Sequence, residues 1–128
     1  MAHDTQDDAR LRLAALAERS EAVCAPAEQA ARDVDLLGRL VTAADRRGSD
    51  GGPEPDVTAD DVGAALSLFE DLRHQLDRLE SRVVMEARRR GMDWRQIASH
   101  QGLNSSQAAS QRHQRLTTRL EEIRQGVR

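Results

Sequence analysis

Apolar residues recur every three or four positions through the middle of the chain. They are Val62, Ala65, Phe69, Leu72, Leu76, Leu79 and Val83. This spacing predicts one long amphipathic helix over residues 58–90, about 48 Å long at about 1.5 Å per residue. A helix of that length cannot bury its own apolar seam. It must therefore pack against other helices of the chain, against a second copy of itself, or against both.

The composition also favours helices over sheets. Among 128 residues, 38% are hydrophobic but only 2% are aromatic, and 19 are alanine. Ala, Leu and Arg are strong helix formers, whereas the aromatic and β-branched residues that favour strands are scarce. The length fits one domain, or a small folded unit with an appendage, and excludes a large two-domain enzyme. We therefore expect an all-α protein.

Two shorter helices are expected before the long one. The first covers about Asp4 to Val23, and the second begins at Pro26, a residue that suits the first helical turn, and runs to about Arg46. The next stretch is rich in Gly and Pro, which predicts an exposed linker. The expected organisation is an acidic helical region (1–46), a flexible linker (47–57), the long helix (58–90) and a C-terminal segment (91–128).

Local signals mark both ends of the long helix. Thr58 followed by Asp61 resembles a capping box, with Asp in place of the usual Glu, and an acidic first turn suits the positive end of the helix dipole. Gly91 is typical of the residue that ends a helix. The helix is therefore expected to begin beside Thr58 and to stop at Gly91.

The C-terminal segment has the pattern of a helix-turn-helix. Asp93 is a plausible N-cap for a two-turn helix, and Gly102 breaks that helix. Asn104 with Gln107 forms a second capping-box pattern that opens another helix, and Asn104 and Ser105 are expected to order its start. The predicted fold is an N-terminal helical pair, a long heptad-patterned helix and a C-terminal tri-helical helix-turn-helix.

The last helix is predicted to have two contrasting faces. Counting 100° per residue from Ala109, the core side carries His113, Leu116, Leu120 and Ile123. The opposite side carries Gln107, Gln111, Gln114 and Thr118, flanked by Ser110 and Arg115. Gln pairs with adenine edges in the major groove, and Ser donates or accepts hydrogen bonds there. The residues predicted to contact base edges are Ser106, Gln107, Ser110 and Gln111.

Charge is divided unequally along the chain. Residues 1–80 hold 9 Arg against 18 acidic residues, whereas residues 81–128 hold 10 Arg against 4. The basic half suits a polyanion, and the acidic half suits a different partner. The residues predicted to contact phosphate groups are Arg95, Arg112 and Arg115. For Arg88, Arg89 and Arg90, phosphate contact and a merely solvated helix end both remain open.

Residues 94–116 resemble the C-terminal helix-turn-helix of small actinobacterial transcription regulators, whose recognition segment reads approximately Gly-Leu-x-Ser-Arg-Gln-Ala-Ala. The matching positions are Trp94, Ile97, Gly102, Leu103, Ser105, Gln107, Ala108, Ala109, Arg112, Arg115 and Leu116. The resemblance implies DNA binding and transcriptional control. Ser106 stands where the family usually has Arg, Gln101 replaces a Leu, and His113 replaces an aromatic residue.

Other classes of function find little support. No glycine-rich phosphate loop, HExxH or GxSxG motif occurs, and the four histidines are scattered, so we expect no enzyme, no metal site and no cofactor. The single cysteine, Cys24, cannot form an internal disulfide and is expected to be a small buried apolar residue. Without a secretory signal or an apolar run that could span a bilayer, the chain is expected to be cytoplasmic, with no membrane partner.

The expected function is therefore that of a sequence-specific transcriptional regulator that binds double-stranded DNA. A homodimer through residues 58–90, through residues 1–46, or through both is compatible with the long seam. The alternative is a protein-interaction adaptor whose acidic helices bind another regulator, without direct DNA binding. A third hypothesis is that the acidic half folds over the basic half and masks it.

Overall fold

Residues 2–50 and 57–126, which a computed structural model describes, are helical with short connections and no strand. The helices of these residues are α1 (Ala2–Ala17), α2 (Ala25–Asp50), α3 (Ala59–Arg89), α4 (Trp94–Gln101) and α5 (Ser106–Arg124). The all-α prediction is confirmed. None of these helices combines the length and the apolar character needed to cross a bilayer.

The ends of α3 follow from its sequence. The Thr58 hydroxyl accepts a hydrogen bond from the Asp61 backbone N–H at 3.2 Å, and the Asp61 carboxylate accepts one from the Thr58 N–H at 2.9 Å. The predicted capping box is therefore present. At the other end Gly91 has φ of 87°, and the Met92 N–H returns to the Ala87 carbonyl. Glycine adopts this left-handed conformation without strain, so α3 ends where its sequence predicts.

The N-terminal helices differ from the prediction at their ends. α1 stops at Ala17 and not near Val23, and α2 continues past Arg46 to Asp50. Residues 47–50 of the predicted linker therefore belong to a helix, and residues 51–56 lie outside the described residues. Every side chain of α1 from residue 3 to residue 17 is exposed, so this helix adds nothing to the core.

The other helices pack around α3. α2 lies along α3, α5 packs across the C-terminal half of α3, and α4 packs against α5. The core where α3, α4 and α5 meet contains Val84, Ile97, Ala98 and Ala109, with Met92, Trp94 and Leu103 packed against it. Ala98 and Ala109 are only 3% and 1% exposed, so these small side chains let α4 and α5 approach closely.

The apolar seam of α3 is divided between two environments. Leu72 is buried, and Ala65 and Leu79 are half-buried. The alternate members of the seam are exposed by 38–67%, and they are Val62, Phe69, Leu76 and Val83. Packing within one chain therefore covers only every second member of the seam.

Candidate nucleic-acid interface

The short helix α4 is fixed at both ends by local hydrogen bonds. The Asp93 carboxylate accepts from the Gln96 backbone N–H, and the Gln96 side-chain carbonyl accepts from the Asp93 N–H, both at 2.8 Å. The predicted N-cap is therefore correct, and it belongs to a full capping box. Behind the cap, Ile97 and Ala98 are buried against α5. These contacts hold α4 rigidly at the start of the C-terminal unit.

The turn between α4 and α5 depends on Gly102. Its φ of 71° is in the left-handed region, its N–H donates to the Ser99 carbonyl, and the Leu103 N–H donates to the Ala98 carbonyl at 2.8 Å. This is the Schellman pattern of a glycine-terminated helix. A Cβ at Gly102 would meet no atom within 4 Å, so the glycine is required by its backbone conformation and not by close approach of the helices.

Helix α5 is capped by Ser105, and the predicted capping box of Asn104 with Gln107 is wrong. Ser105 has the extended backbone of an N-cap, and its hydroxyl accepts from the Ala108 N–H at 3.1 Å. The helix starts one residue later than a cap at Asn104 requires. The side chains of Asn104 and Gln107 are both exposed and form no hydrogen bond within the described chain. The Gln107 amide is therefore not used for capping.

The two faces of α5 largely match the prediction. Ala109 and Leu116 are buried, and His113 and Leu120 are half-buried. Ile123 is 46% exposed, so the core face ends one turn earlier than expected. The exposed residues of the opposite face are Gln107, Gln111, Gln114, Arg115 and Thr118. We call these residues the amide face.

The four residues predicted to contact bases lie together at the N-terminal end of α5. Ser106, Gln107 and Gln111 are exposed, and Ser110 is half-buried. Their spacing places them on one strip over the first two turns of the helix. The strip is therefore open to a ligand, and Ser110 lies at its inner edge.

Arg112 has a different environment from the other arginines predicted to contact phosphate. Its guanidinium donates two hydrogen bonds to the Glu80 carboxylate of α3, at 2.6 and 2.7 Å. The hydrogen bonds and the negative charge of Glu80 raise the pKa of Arg112 above its ordinary value. Two turns further along α5, Arg119 donates to Asp77 at 2.9 Å. Two arginines of α5 thus hold it against α3.

Arg95 and Arg115 are the predicted phosphate contacts that are available. Both are exposed, and neither forms an ion pair or hydrogen bond within the described residues. Arg95 lies in the first turn of α4, and Arg115 lies on the amide face of α5. Their charges are therefore available to an anionic ligand without the loss of an intramolecular partner.

The run of three arginines at the end of α3 is engaged within the chain. Arg88 lies over the Trp94 ring at 5.1 Å from its centroid and donates to the Met92 carbonyl. Arg89 and Arg90 both donate to Glu86 at 2.9 Å. These two arginines hold the pKa of the Glu86 carboxyl below its usual range. All three guanidinium groups thus have a partner within the chain, and phosphate contact by this run stays a prediction.

Acidic residues are absent from a long stretch that includes the amide face. No Asp or Glu occurs from Trp94 to Leu120, whereas Arg occurs there four times. The acidic residues near α5 that sequence reasoning missed are Asp77 and Glu80, which come from α3. Each is paired with an arginine, so neither offsets the free charge of Arg95 or Arg115.

Comparisons with protein-family models, with curated proteins and with solved structures found no match to this chain. The resemblance of residues 94–116 to actinobacterial regulators therefore stays a prediction from sequence. The geometry of the site itself indicates what it can bind. That geometry combines an open strip of amides and hydroxyls, two free arginines and a rigidly capped pair of helices.

Proposed function

We propose that the chain is a sequence-specific DNA-binding transcriptional regulator. In this proposal the end of α3, together with α4 and α5, forms a tri-helical helix-turn-helix unit. α5 is the recognition helix, and it enters the major groove of double-stranded DNA with the N-terminal half of its amide face. The major groove is wide enough to admit an α-helix, and each base pair presents a distinct pattern of donors and acceptors there.

The observation that carries this proposal is the exposed, acid-free amide face of α5. Gln107, Gln111 and Gln114 are exposed, and the carboxylate that borders this face, that of Glu122, lies at its C-terminal end, 15 residues from Gln107. A helix exposed only for solubility commonly alternates acidic and basic residues, as the pairs of Glu86 with Arg89 and Arg90 illustrate. The amide face offers donors and acceptors suited to base edges.

The proposed roles follow from position. Ser106, Gln107, Ser110 and Gln111 contact base edges, and Arg95 and Arg115 contact phosphates on either side of the groove. Ser105 fixes the first turn of α5, and Asn104, beside it, lies at the entrance of the helix. Arg112 is the third proposed phosphate contact, but it reaches DNA only if its pair with Glu80 is shared or broken.

The dependence of DNA affinity on salt tests this function. Binding of the full chain to a pool of labelled random duplexes, followed by fluorescence anisotropy, is expected to weaken with log salt at a slope of about −0.9 per phosphate contact. Arg115→Ala removes one contact and is expected to flatten the slope by about 0.9. Arg39→Ala removes the same charge from α2 and serves as the control. Absence of binding at low salt would contradict the proposal.

The second candidate function is a protein-interaction adaptor, and the state of α1 favours it. Leu11, Leu13 and Leu16 are 59–71% exposed on a helix whose side chains from residue 3 to residue 17 are all exposed. Such leucines are available to a partner protein. An adaptor without DNA binding would show no salt-dependent affinity for duplexes and no effect of Arg115→Ala. The same titration therefore distinguishes the two functions.

A further inference from the structure

The exposed half of the α3 seam forms one straight column. Val62, Phe69, Leu76 and Val83 are each seven residues apart, so all four lie on one side of the helix. Their exposed fractions are 45%, 38%, 51% and 67%. The intervening seam positions are buried or half-buried, and Asp77 and Glu80 are the residues of α3 that pair with arginines of α5. Apolar residues that repeat every seven positions are typical of a helix that packs against another helix.

Helix α2 has a column of the same kind. Val34 and Val41 are also seven residues apart, and they are 55% and 59% exposed. Pro26, Ala30 and Asp33 form the buried side of α2. Around the axis of α2, at about 100° per residue, Val34 and Val41 lie roughly 60° from the middle of that buried side. The displacement is in the rotational direction that the chain follows from its N-terminus to its C-terminus. On α3, the mean direction of the exposed column lies roughly 80° from the midpoint between Leu72 and Gln75, in the same rotational direction.

The two columns lie on the same side of the helix pair. α2 and α3 run antiparallel, because a parallel arrangement would require the connection to return from the end of α2 to its start. α2 is about 39 Å long, whereas the nine residue steps from Asp50 to Ala59 span at most about 32 Å. Suppose that residues on two antiparallel helices are displaced from the line of contact by similar angles and in the same rotational direction along the chain. Those residues then lie on the same side of the helix pair. The pair therefore presents one apolar face, made of Val34, Val41, Val62, Phe69, Leu76 and Val83, which we call the hairpin face.

We propose that the hairpin face is the interface of a homodimer, in which two α2–α3 pairs form a four-helix bundle. Six aliphatic or aromatic side chains, each about half exposed, offer several hundred Å² of apolar surface, which approaches the roughly 800 Å² per partner of a standard interface. A patch of that size matches the largest apolar patch of a typical monomer, and such patches are often functional. A second copy supplies an identical face, which suits the self-complementary contact of a two-fold dimer.

Among the described residues no other helix covers the hairpin face, and the Arg73 guanidinium of α3 lies over the Phe69 ring at 5.7 Å from its centroid. α1 carries exposed leucines, yet all its side chains from residue 3 to residue 17 are exposed, so it does not lie there. The hairpin face also contains no residue of the amide face. The dimer therefore does not depend on the proposed function.

The mass of the full chain in solution tests the dimer. Light scattering after size exclusion is expected to give twice the chain mass of 14.2 kDa. Leu76→Glu places a carboxylate on the hairpin face and is expected to halve that mass. The matched control is Leu36→Glu, because Leu36 is similarly exposed, at 56%, but lies on the opposite side of α2. The control is expected to remain dimeric.

A second variant keeps the test decisive if Leu76→Glu fails to fold, as judged by circular dichroism. Val83→Glu changes the most exposed member of the column and is expected to give a folded monomer. A wild-type chain that stays at 14.2 kDa over its soluble range would overturn the proposal. So would a dimer that persists in the folded Leu76→Glu or Val83→Glu variant, or one that Leu36→Glu dissociates equally well.

Discussion

Arg112 of α5 and Glu80 of α3, 32 residues apart in sequence, form a two-bond ion pair that joins the proposed recognition helix to the long helix. The Arg112 side chain is 45% exposed and that of Glu80 is 28% exposed. The pair is therefore open enough to exchange Glu80 for another anion. A phosphate group that approaches this side of α5 competes with Glu80 for the same guanidinium.

Substitution of Glu80 is expected to have opposite effects on stability and on DNA binding. Glu80→Gln weakens the α3–α5 contact, and the free energy of unfolding is expected to fall by about 0.5–1 kcal/mol in urea titrations. The freed Arg112 is expected to steepen the salt dependence of DNA affinity by about 0.9. Glu70→Gln removes the same charge from α3 without losing an ion pair and serves as the control. An unchanged slope in Glu80→Gln would exclude Arg112 as a phosphate contact.

The cap of α5 is tested by two adjacent substitutions. Ser105→Ala removes the oxygen that accepts from the Ala108 N–H and is expected to lower the free energy of unfolding by about 1 kcal/mol. Asn104→Ala removes an exposed side chain without a hydrogen bond in the described chain and is expected to change stability by less than about 0.5 kcal/mol. Thermal or urea unfolding measures both. The reverse order of effects would place the cap at Asn104.

The difference between Asn104 and Ser105 illustrates what the sequence could predict. The caps at Thr58 and Asp93 were predictable, because each depends on residues three positions apart. The start of α5 was ambiguous, because two residues with good capping side chains are adjacent and the choice depends on where the helix packs. The periodicity of the α3 seam predicted one apolar side, but it contains no information on which members α2 would cover.

The ion pairs of α5 show which contacts could not be predicted from the sequence. The pairs of Glu86 with Arg89 and Arg90 were detectable from their spacing of three and four residues. The pairs of Arg112 with Glu80 and Arg119 with Asp77 join residues that are distant in sequence, so only the packing of α5 on α3 brings them together. The amide face was predictable, because helical periodicity alone separates it from Ala109 and Leu116.

Alanine substitutions at two glycines are expected to have opposite effects. Gly102→Ala introduces a side chain at φ of 71° and is expected to destabilise the chain by about 1–2 kcal/mol through backbone strain. Gly63→Ala, inside α3, is expected to stabilise it by about 0.5–1 kcal/mol. A Cβ meets no atom within 4 Å at either position, so steric contact does not complicate the comparison. Equal effects on the unfolding midpoint would contradict the left-handed turn.

The core between α4 and α5 is expected to be sensitive to loss of volume. Ile97 is 4% exposed and packs with Val84 and Ala109, so Ile97→Ala is expected to cost about 2–5 kcal/mol. The control Leu16→Ala, on the exposed helix α1, is expected to change stability by less than about 0.5 kcal/mol. Equilibrium unfolding monitored by Trp94 fluorescence measures this loss of stability beside the substituted core. Similar costs for the two variants would contradict the described core.

Selection of bound sequences from a random duplex library tests the central claim most directly, with the wild-type chain, Gln111→Ala and the control Gln6→Ala compared at one salt concentration. The wild type and Gln6→Ala are expected to enrich the same motif. Gln111→Ala is expected to lose preference at one base pair, worth about 1–3 kcal/mol, and to keep the rest of the motif. Failure to enrich any motif, or a motif that Gln111→Ala leaves unchanged along its whole length, would contradict base recognition by the amide face.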